Sequence, residues 1–210
     1  TTVAEGSGIL VERHTAVLLS KLMEQINGWS RIIPVSGWRS VKEQEQIWKQ
    51  TLTENGEDFT KKFVAPPGHS EHHTGLAIDL GLRRPSIDFI RPLFPCYGIC
   101  QSFRENAARF GFVERYPKGK EHITGIAHEP WHFRYVSMPH ATIMTEQNLS
   151  LEEYLAFVRL FLFQEKKYEY QIDGLSVTVS FVPSLQGQST QIEIDENIPY
   201  SISGNNHDGF

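Results

Sequence analysis

Three histidines and two carboxylates crowd into GHSEHHTGLAIDL, Gly68 to Leu80, beside a run of small and apolar residues. Imidazole and carboxylate are the nitrogen and oxygen donors that zinc accepts, and the same residues can also line a wet loop. The end of the stretch alternates. As a strand it puts Gly75, Ala77 and Asp79 on one face and Leu76, Ile78 and Leu80 on the other. Gly75 and Ala77 leave empty volume beside Asp79. A loop feeding that strand through Thr74-Gly75 can bring His72 and Asp79 to one point. His69 can reach Asp79 as well, and the residues alone do not choose between the two.

A second cluster is EPWHFRYV, Glu129 to Val136. Strict alternation would set Glu129 and His132 on opposite faces, but Pro130 has no N–H to give a ladder, so a turn there can aim both inward. A zinc hydrolase needs three protein ligands, an open position for water and a base beside that water. His72, Asp79 and His132 would supply the ligands, and Glu129 the base. A third piece, SGWRSVKEQ, places Arg39 between a strand end and a helix cap. Beside a metal, such a guanidinium can stabilise an oxyanion.

The elements that must position these groups are legible in part. Apolar residues at helical spacing run from Val11 to Ile26, and Asn27-Gly28 stops them. RIIPVSG reads as a short strand, with Pro34 implying an edge position. Ser40-Val-Lys-Glu43 is a capping box, so a helix should start at Val41 and end at Asn55-Gly56. Phe63 to His69 is loop around Pro66-Pro67-Gly68. Ser102-Phe-Arg-Glu105 is a second capping box. GFVERYP and WHFRYV read as strands. Ser150-Leu-Glu-Glu153 opens a helix to about Gln164. KYEYQI and LSVTVSFV then alternate around Asp173-Gly174, a hairpin signal, and QIEI is expected as a further strand. Helices come first and hairpins later, which favours α+β.

The bulk properties exclude several classes. A net charge of −5 gives no basic footprint for nucleic acid. No apolar run approaches the length of a membrane span. Cys96 and Cys100 are too few for a disulfide scaffold and lack the partners of a zinc finger, so a pair of reduced thiols is expected. No secretory h-region is visible near Thr1, although the chain does not begin with Met.

Ser70-x-His72-x-x-Gly75-x-Ala77-x-Asp79 and Glu129-x-Trp131-His132, with SGWRS upstream, resemble the D-alanyl-D-alanine metallopeptidases. These are the VanX, VanY and VanXY enzymes of glycopeptide resistance, and the phage L-alanyl-D-glutamate endopeptidases are their cousins. The resemblance spans about Val11 to Leu162. It implies a compact zinc-peptidase domain with a mostly antiparallel central sheet flanked by helices, over 1–165; residues 166–210 lie beyond it, and their hairpin pattern is expected to form a β-rich extension packed on that domain. Family spacing selects His72 over His69. The resemblance implies zinc on His72, Asp79 and His132, Glu129 as base and acid, and Arg39 as transition-state stabiliser. It implies Ser70 on the substrate's terminal carboxylate and Gln44 positioning the peptide; Trp131 is expected as a wall of the substrate site or as core. The substrates implied are the D-Ala-D-Ala dipeptide and the terminal D-Ala of peptidoglycan precursor stems. With no anchor visible, a cytoplasmic enzyme is expected, or a membrane-anchored one if a leader preceded Thr1. The rival readings are a hedgehog-like, zinc-stabilised binding module and a wall endopeptidase of the phage type.

Overall fold

Four antiparallel strands carry the residues of interest. In the computed structural model, which describes Thr1 and residues 7–184, 187, 189–204 and 208–210, they are β1 (Ile32–Ser36), β2 (Ala77–Leu82), β3 (Phe112–Glu114) and β4 (His132–Tyr135). Their order is β1-β2-β4-β3. Pro34 lies on β1, an edge strand, where its missing N–H costs no ladder bond. The register pairs Asp79 with Ser36 on one side and with His132 on the other. Directly opposed residues share a face, so one row across three strands reads Ser36, Asp79, His132.

The opposite face of β2 carries Ile78 and Leu80, both fully buried, into the apolar core. There they meet Leu19, Leu22 and Met23 of helix α1 (Arg13–Gln25), together with Phe94, Phe103 and Phe133. The rings of Phe94, Phe103 and Phe133 pack edge to face, with centroids 4.8 to 5.7 Å apart. The alternation of GLAIDL therefore divides the strand between a core face and a site face.

Helix α2 (Val41–Asn55) begins at the expected capping box: Ser40 accepts from the Glu43 N–H, and the Glu43 carboxylate accepts from the Ser40 N–H. A further helix, α3 (Glu57–Phe63), follows Gly56 at once and had no counterpart in the sequence expectations. Its signal is charge: Glu57 and Asp58 in the first turn, Lys61 and Lys62 in the last. Helix α4 (Gly98–Ala107) starts four residues ahead of the Ser102 box. Cys100, Phe103 and Ala107 form one buried stripe, which extends the helix a turn earlier, and Ser102 sits inside it with its hydroxyl on the Gly98 carbonyl. Two short helices, α5 (Glu121–Thr124) and α6 (His140–Glu146), complete this unit, which spans Thr1–Ser150. Both cysteines are free; Cys96 is exposed, and burial pushes the Cys100 thiol up to about 11.

Leu151–Phe210 forms a second compact unit. Its helix α7 (Leu151–Val158) stops short of Gln164, because Phe161 and Phe163 leave the helix to exchange backbone hydrogen bonds with Phe181. β5 (Tyr168–Ile172) and β6 (Leu175–Val179) form the expected hairpin, and Asp173 and Gly174 both adopt the positive φ of its two-residue turn. The QIEI segment is not a strand: no ladder partner lies beside it among the described residues. The architecture is α+β, with an antiparallel sheet flanked by helices. No helix among the described residues is long and apolar enough to cross a membrane.

Candidate active site

Two short turns complete what the strands begin. Ser70 leads into a 3₁₀ turn, Glu71–Thr74, which ends at Gly75 with φ +72°. A side chain at Gly75 would meet the Glu12 backbone nitrogen at 3.0 Å, so glycine is required both by conformation and by space. This turn swings His72 back over β2 toward Asp79. Ahead of β4, Glu129-Pro130-Trp131-His132 is a tight turn closed by the His132 N–H on the Glu129 carbonyl, 3.1 Å. Proline at its second position fixes the bend, and Glu129 and His132 now point into one cleft despite their spacing.

His72, Asp79 and His132 are buried, and one donor atom from each lies within 4.8 Å of the others. His72 Nε2 is 3.1 Å from Asp79 Oδ2, and His132 Nδ1 is 2.8 Å from Asp79 Oδ1. His72 Nδ1 lies 2.7 Å from the Gly37 carbonyl, which can only accept. That bond fixes the proton on Nδ1 and leaves the Nε2 lone pair facing Asp79. Two neutral imidazoles and a carboxylate, converging and buried, suit a divalent metal ion.

Electrostatics describe the same group without metal. Burial opposes charge on His132, but the Asp79 and Glu71 carboxylates overcome it and hold its pKa up at about 10. Burial would raise Asp79, yet the two imidazoles hold it well below the ordinary carboxylate range. His72 is lowered, chiefly by burial. The metal-free site is therefore an imidazolium–carboxylate pair, and a metal must displace its proton.

Glu129 is buried, with Oε2 3.9 Å from His132 Nδ1. Burial pushes its carboxyl up to about 8, against the pull of His132 and with Asp79 adding to the rise. A nearby dication would draw it down again. Arg39 projects toward the same point, NH2 4.0 Å from Asp79 Oδ2. It is aimed by Ser36 Oγ at 2.6 Å and Gln44 Oε1 at 2.7 Å. Gln44 is fully buried and also donates to the Ala65 carbonyl, so it spans from the Arg39 guanidinium to the loop after α3. Ser70 is buried on the cleft wall, and its hydroxyl does not cap the turn it opens. Trp131 lines the cleft with one part and joins the core with another.

The remaining histidines separate. His69 is exposed. The ring of His73 ties two loops together: its Nδ1 donates to the Arg39 carbonyl at 2.7 Å and its Nε2 accepts from the Gly68 N–H at 3.2 Å. His128 lies 3.0 Å from Glu114. Residues that their types and spacing did not single out include Glu71, bridged to Arg115 and Arg134, and Tyr116, whose ring packs against His132 with centroids 5.0 Å apart. Ile47, Phe63, Phe89 and Ile90 give the cleft an apolar wall.

A His–Asp–His donor set on an antiparallel sheet, with a buried carboxylate beside it, forms a group that could hold a metal ion. Residues 9–138 match the VanY family model, D-alanyl-D-alanine carboxypeptidase, and the chain belongs to that family. It is 49% identical over 121 residues to the bifunctional D-Ala-D-Ala dipeptidase and D-Ala-D-Ala carboxypeptidase VanXYC of Enterococcus gallinarum, a match covering 57% of this chain and 64% of that protein. It resembles the crystal structure of the vancomycin resistance D,D-dipeptidase VanXYg, in complex with a D-Ala-D-Ala phosphinate analog, at 51% identity and a TM-score of 0.92, covering 96% of this chain and 80% of that one. A D,D-pentapeptidase VanY mutant from a VanB-type resistance cassette, in complex with Zn(II), matches at 31% identity and a TM-score of 0.61, over 71% of this chain and 86% of that one. The chain spans less than two thirds of the length of the curated relatives it matches.

Proposed function

We propose that this protein is a zinc-dependent D,D-peptidase acting on D-Ala-D-Ala and on the terminal D-Ala of peptidoglycan precursor stems, and so contributes to glycopeptide resistance. One observation carries the reading: the buried Glu129 carboxylate stands beside the His72–Asp79–His132 donor set. A zinc-stabilised binding module has no need of such a base. The chain's resemblance to VanXYg along 96% of its length supports the choice of substrate. A wall endopeptidase of the phage type is the outcome to test against. A cytoplasmic location accords with this reading, since the free dipeptide and soluble precursor are met there.

His72, Asp79 and His132 would hold the zinc, which when bound supplies a Lewis acid and lowers the pKa of water toward about 7. Glu129 takes the proton from the attacking water and later returns it to the leaving amine. Arg39 faces the oxyanion that develops on the scissile carbonyl, preset by Ser36 and Gln44 so that little reorganisation is needed. Ser70 would meet the substrate's terminal carboxylate, and Trp131 would wall the cleft beside it. The apolar side of the cleft suits the methyl groups of two alanines.

The direct test is to load the protein with zinc and assay D-Ala-D-Ala and a muramyl pentapeptide side by side. Both should release D-Ala. Zinc-loaded protein that cleaves neither would reject the reading, and cleavage of an L-Ala-D-Glu bond alone would turn it to the endopeptidase. Within this mechanism, Arg39→Ala should retain zinc and lose about 10²–10³ in kcat, the typical effect of removing one oxyanion donor. Unchanged kcat with a raised KM would reassign Arg39 to ground-state binding.

A further inference from the structure

Among the described residues, two buried side-chain polar atoms have no hydrogen-bond partner, and they face each other: Glu71 Oε2 and His132 Nε2, 3.6 Å apart. Buried polar atoms are normally satisfied, so two unsatisfied ones aimed together need a reason. The other Glu71 oxygen is fully engaged. Oε1 accepts from Arg115 Nε at 2.7 Å and pairs with Arg134 NH1 at 3.1 Å. Arg115 follows β3, Arg134 lies on β4, and Glu71 lies on the turn that carries His72. Two arginines thus hold one oxygen and turn the other toward the imidazole.

His132 presents Nδ1 to Asp79. A neutral imidazole that gives Nδ1 to a metal must keep its proton on Nε2, and in this buried position that proton requires an acceptor. The geometry points to Glu71 as a positioning residue for the metal: it accepts the His132 Nε2 proton, fixing the tautomer and the ring so that Nδ1 is free to ligate. This rests on the reading of His72, Asp79 and His132 as the ligand set. A closing of a few tenths of an ångström completes the hydrogen bond, and the Tyr116 ring packs against the His132 ring, with centroids 5.0 Å apart. Arg115 and Arg134 keep Glu71 an acceptor by compensating its charge.

Glu71→Gln tests this sharply. The arginines can only donate, so they will claim the amide oxygen and leave the NH₂ facing His132 Nε2. His132 must then carry its proton on Nδ1, the tautomer that cannot ligate there. Zinc affinity, measured on the metal-free full chain by competition with a chromogenic chelator, should fall about 10–100-fold. Nitrogen-15 NMR of histidine-labelled protein should show His132 as the Nε2–H tautomer with zinc in the wild type and as Nδ1–H in the metal-free variant. Glu71→Asp is the second variant. It keeps the charge between Arg115 and Arg134 but withdraws it from His132, and it should lose affinity in the same direction while retaining the wild-type circular dichroism. Wild-type zinc affinity and tautomer in both variants would overturn the proposal while leaving the ligand set intact. A wild-type chain that binds no zinc would overturn the ligand set, and the role of Glu71 with it.

Discussion

Glu129→Gln should bind zinc as the wild type does and hydrolyse D-Ala-D-Ala about 10³-fold more slowly, within the range of 10²–10⁴ that general acid–base catalysis contributes. The substitution keeps the shape of a side chain held by its backbone. The Glu129 N–H bonds the Tyr116 carbonyl at 3.1 Å, and Arg104 NH2 donates to the Pro130 carbonyl at 2.7 Å. The same guanidinium donates to the Phe94 and Pro95 carbonyls and to Glu114, so the turn is tied to rigid core rather than to the cleft. The amide can neither take a proton from water nor return it to the amine, and turnover fails at both transfers. Zinc is retained because the donor set of His72, Asp79 and His132 does not include Glu129. Since the base must be ionised to act, wild-type turnover should fall as pH drops through its pKa. Measuring kcat and zinc per chain on the same samples checks both halves. A glutamine variant that is fully active rejects Glu129 as base, and one that has lost its zinc makes it a ligand instead.

Which parts of this site could be read from the sequence depended on how local their causes are. The division of GLAIDL into core and site faces follows from a period of two and needs nothing beyond the strand itself. The pairing of Asp79 with His132 is different: it depends on strand register, which neither segment encodes alone. Residue chemistry alone left His69 and His72 open, with only family spacing favouring His72, and the 3₁₀ turn ending at Gly75 separates them physically, leaving His69 exposed. The Ser102 box misplaced the start of α4 because its residue types fit a cap, while the buried stripe through Cys100 set the real boundary. Glu71 carried no signal at all. It neighbours His72 in sequence, but its arginines arrive from the far side of the sheet on β4 and just beyond β3. Gln44 was expected against the peptide; it lines the cleft and also accepts from Arg39, a contact that spacing alone does not reveal.

Asp79→Asn should lose zinc, and turnover with it, because Asp79 is the only anionic member of the donor set. Its two oxygens stand at 2.8 and 3.1 Å from His132 Nδ1 and His72 Nε2, so an asparagine fits the space but carries no charge to offset a dication. The loss should exceed the 10–100-fold typical of residues that only support a ligand. Zinc at 100 times its Kd should stabilise the wild type by about 2.7 kcal/mol and leave the variant's melting unchanged. The metal-free proteins should differ in a second way. His132 has its pKa raised from the ordinary 6.5 to about 10, so its pairing with Asp79 stabilises fully below 6.5 and is lost as pH rises toward 10. Asp79 is depressed below its ordinary 3.8, so its own share is present above that value and is lost only in stronger acid. Metal-free wild type should therefore lose stability between about pH 6.5 and 10, and Asp79→Asn should show a shallower decline, since only Glu71 and Glu129 still support the His132 charge. Unfolding followed across that range gives the slope directly. Equal slopes would mean that Asp79 and His132 do not share a proton, and an asparagine variant with zinc and wild-type turnover would remove Asp79 from the ligands.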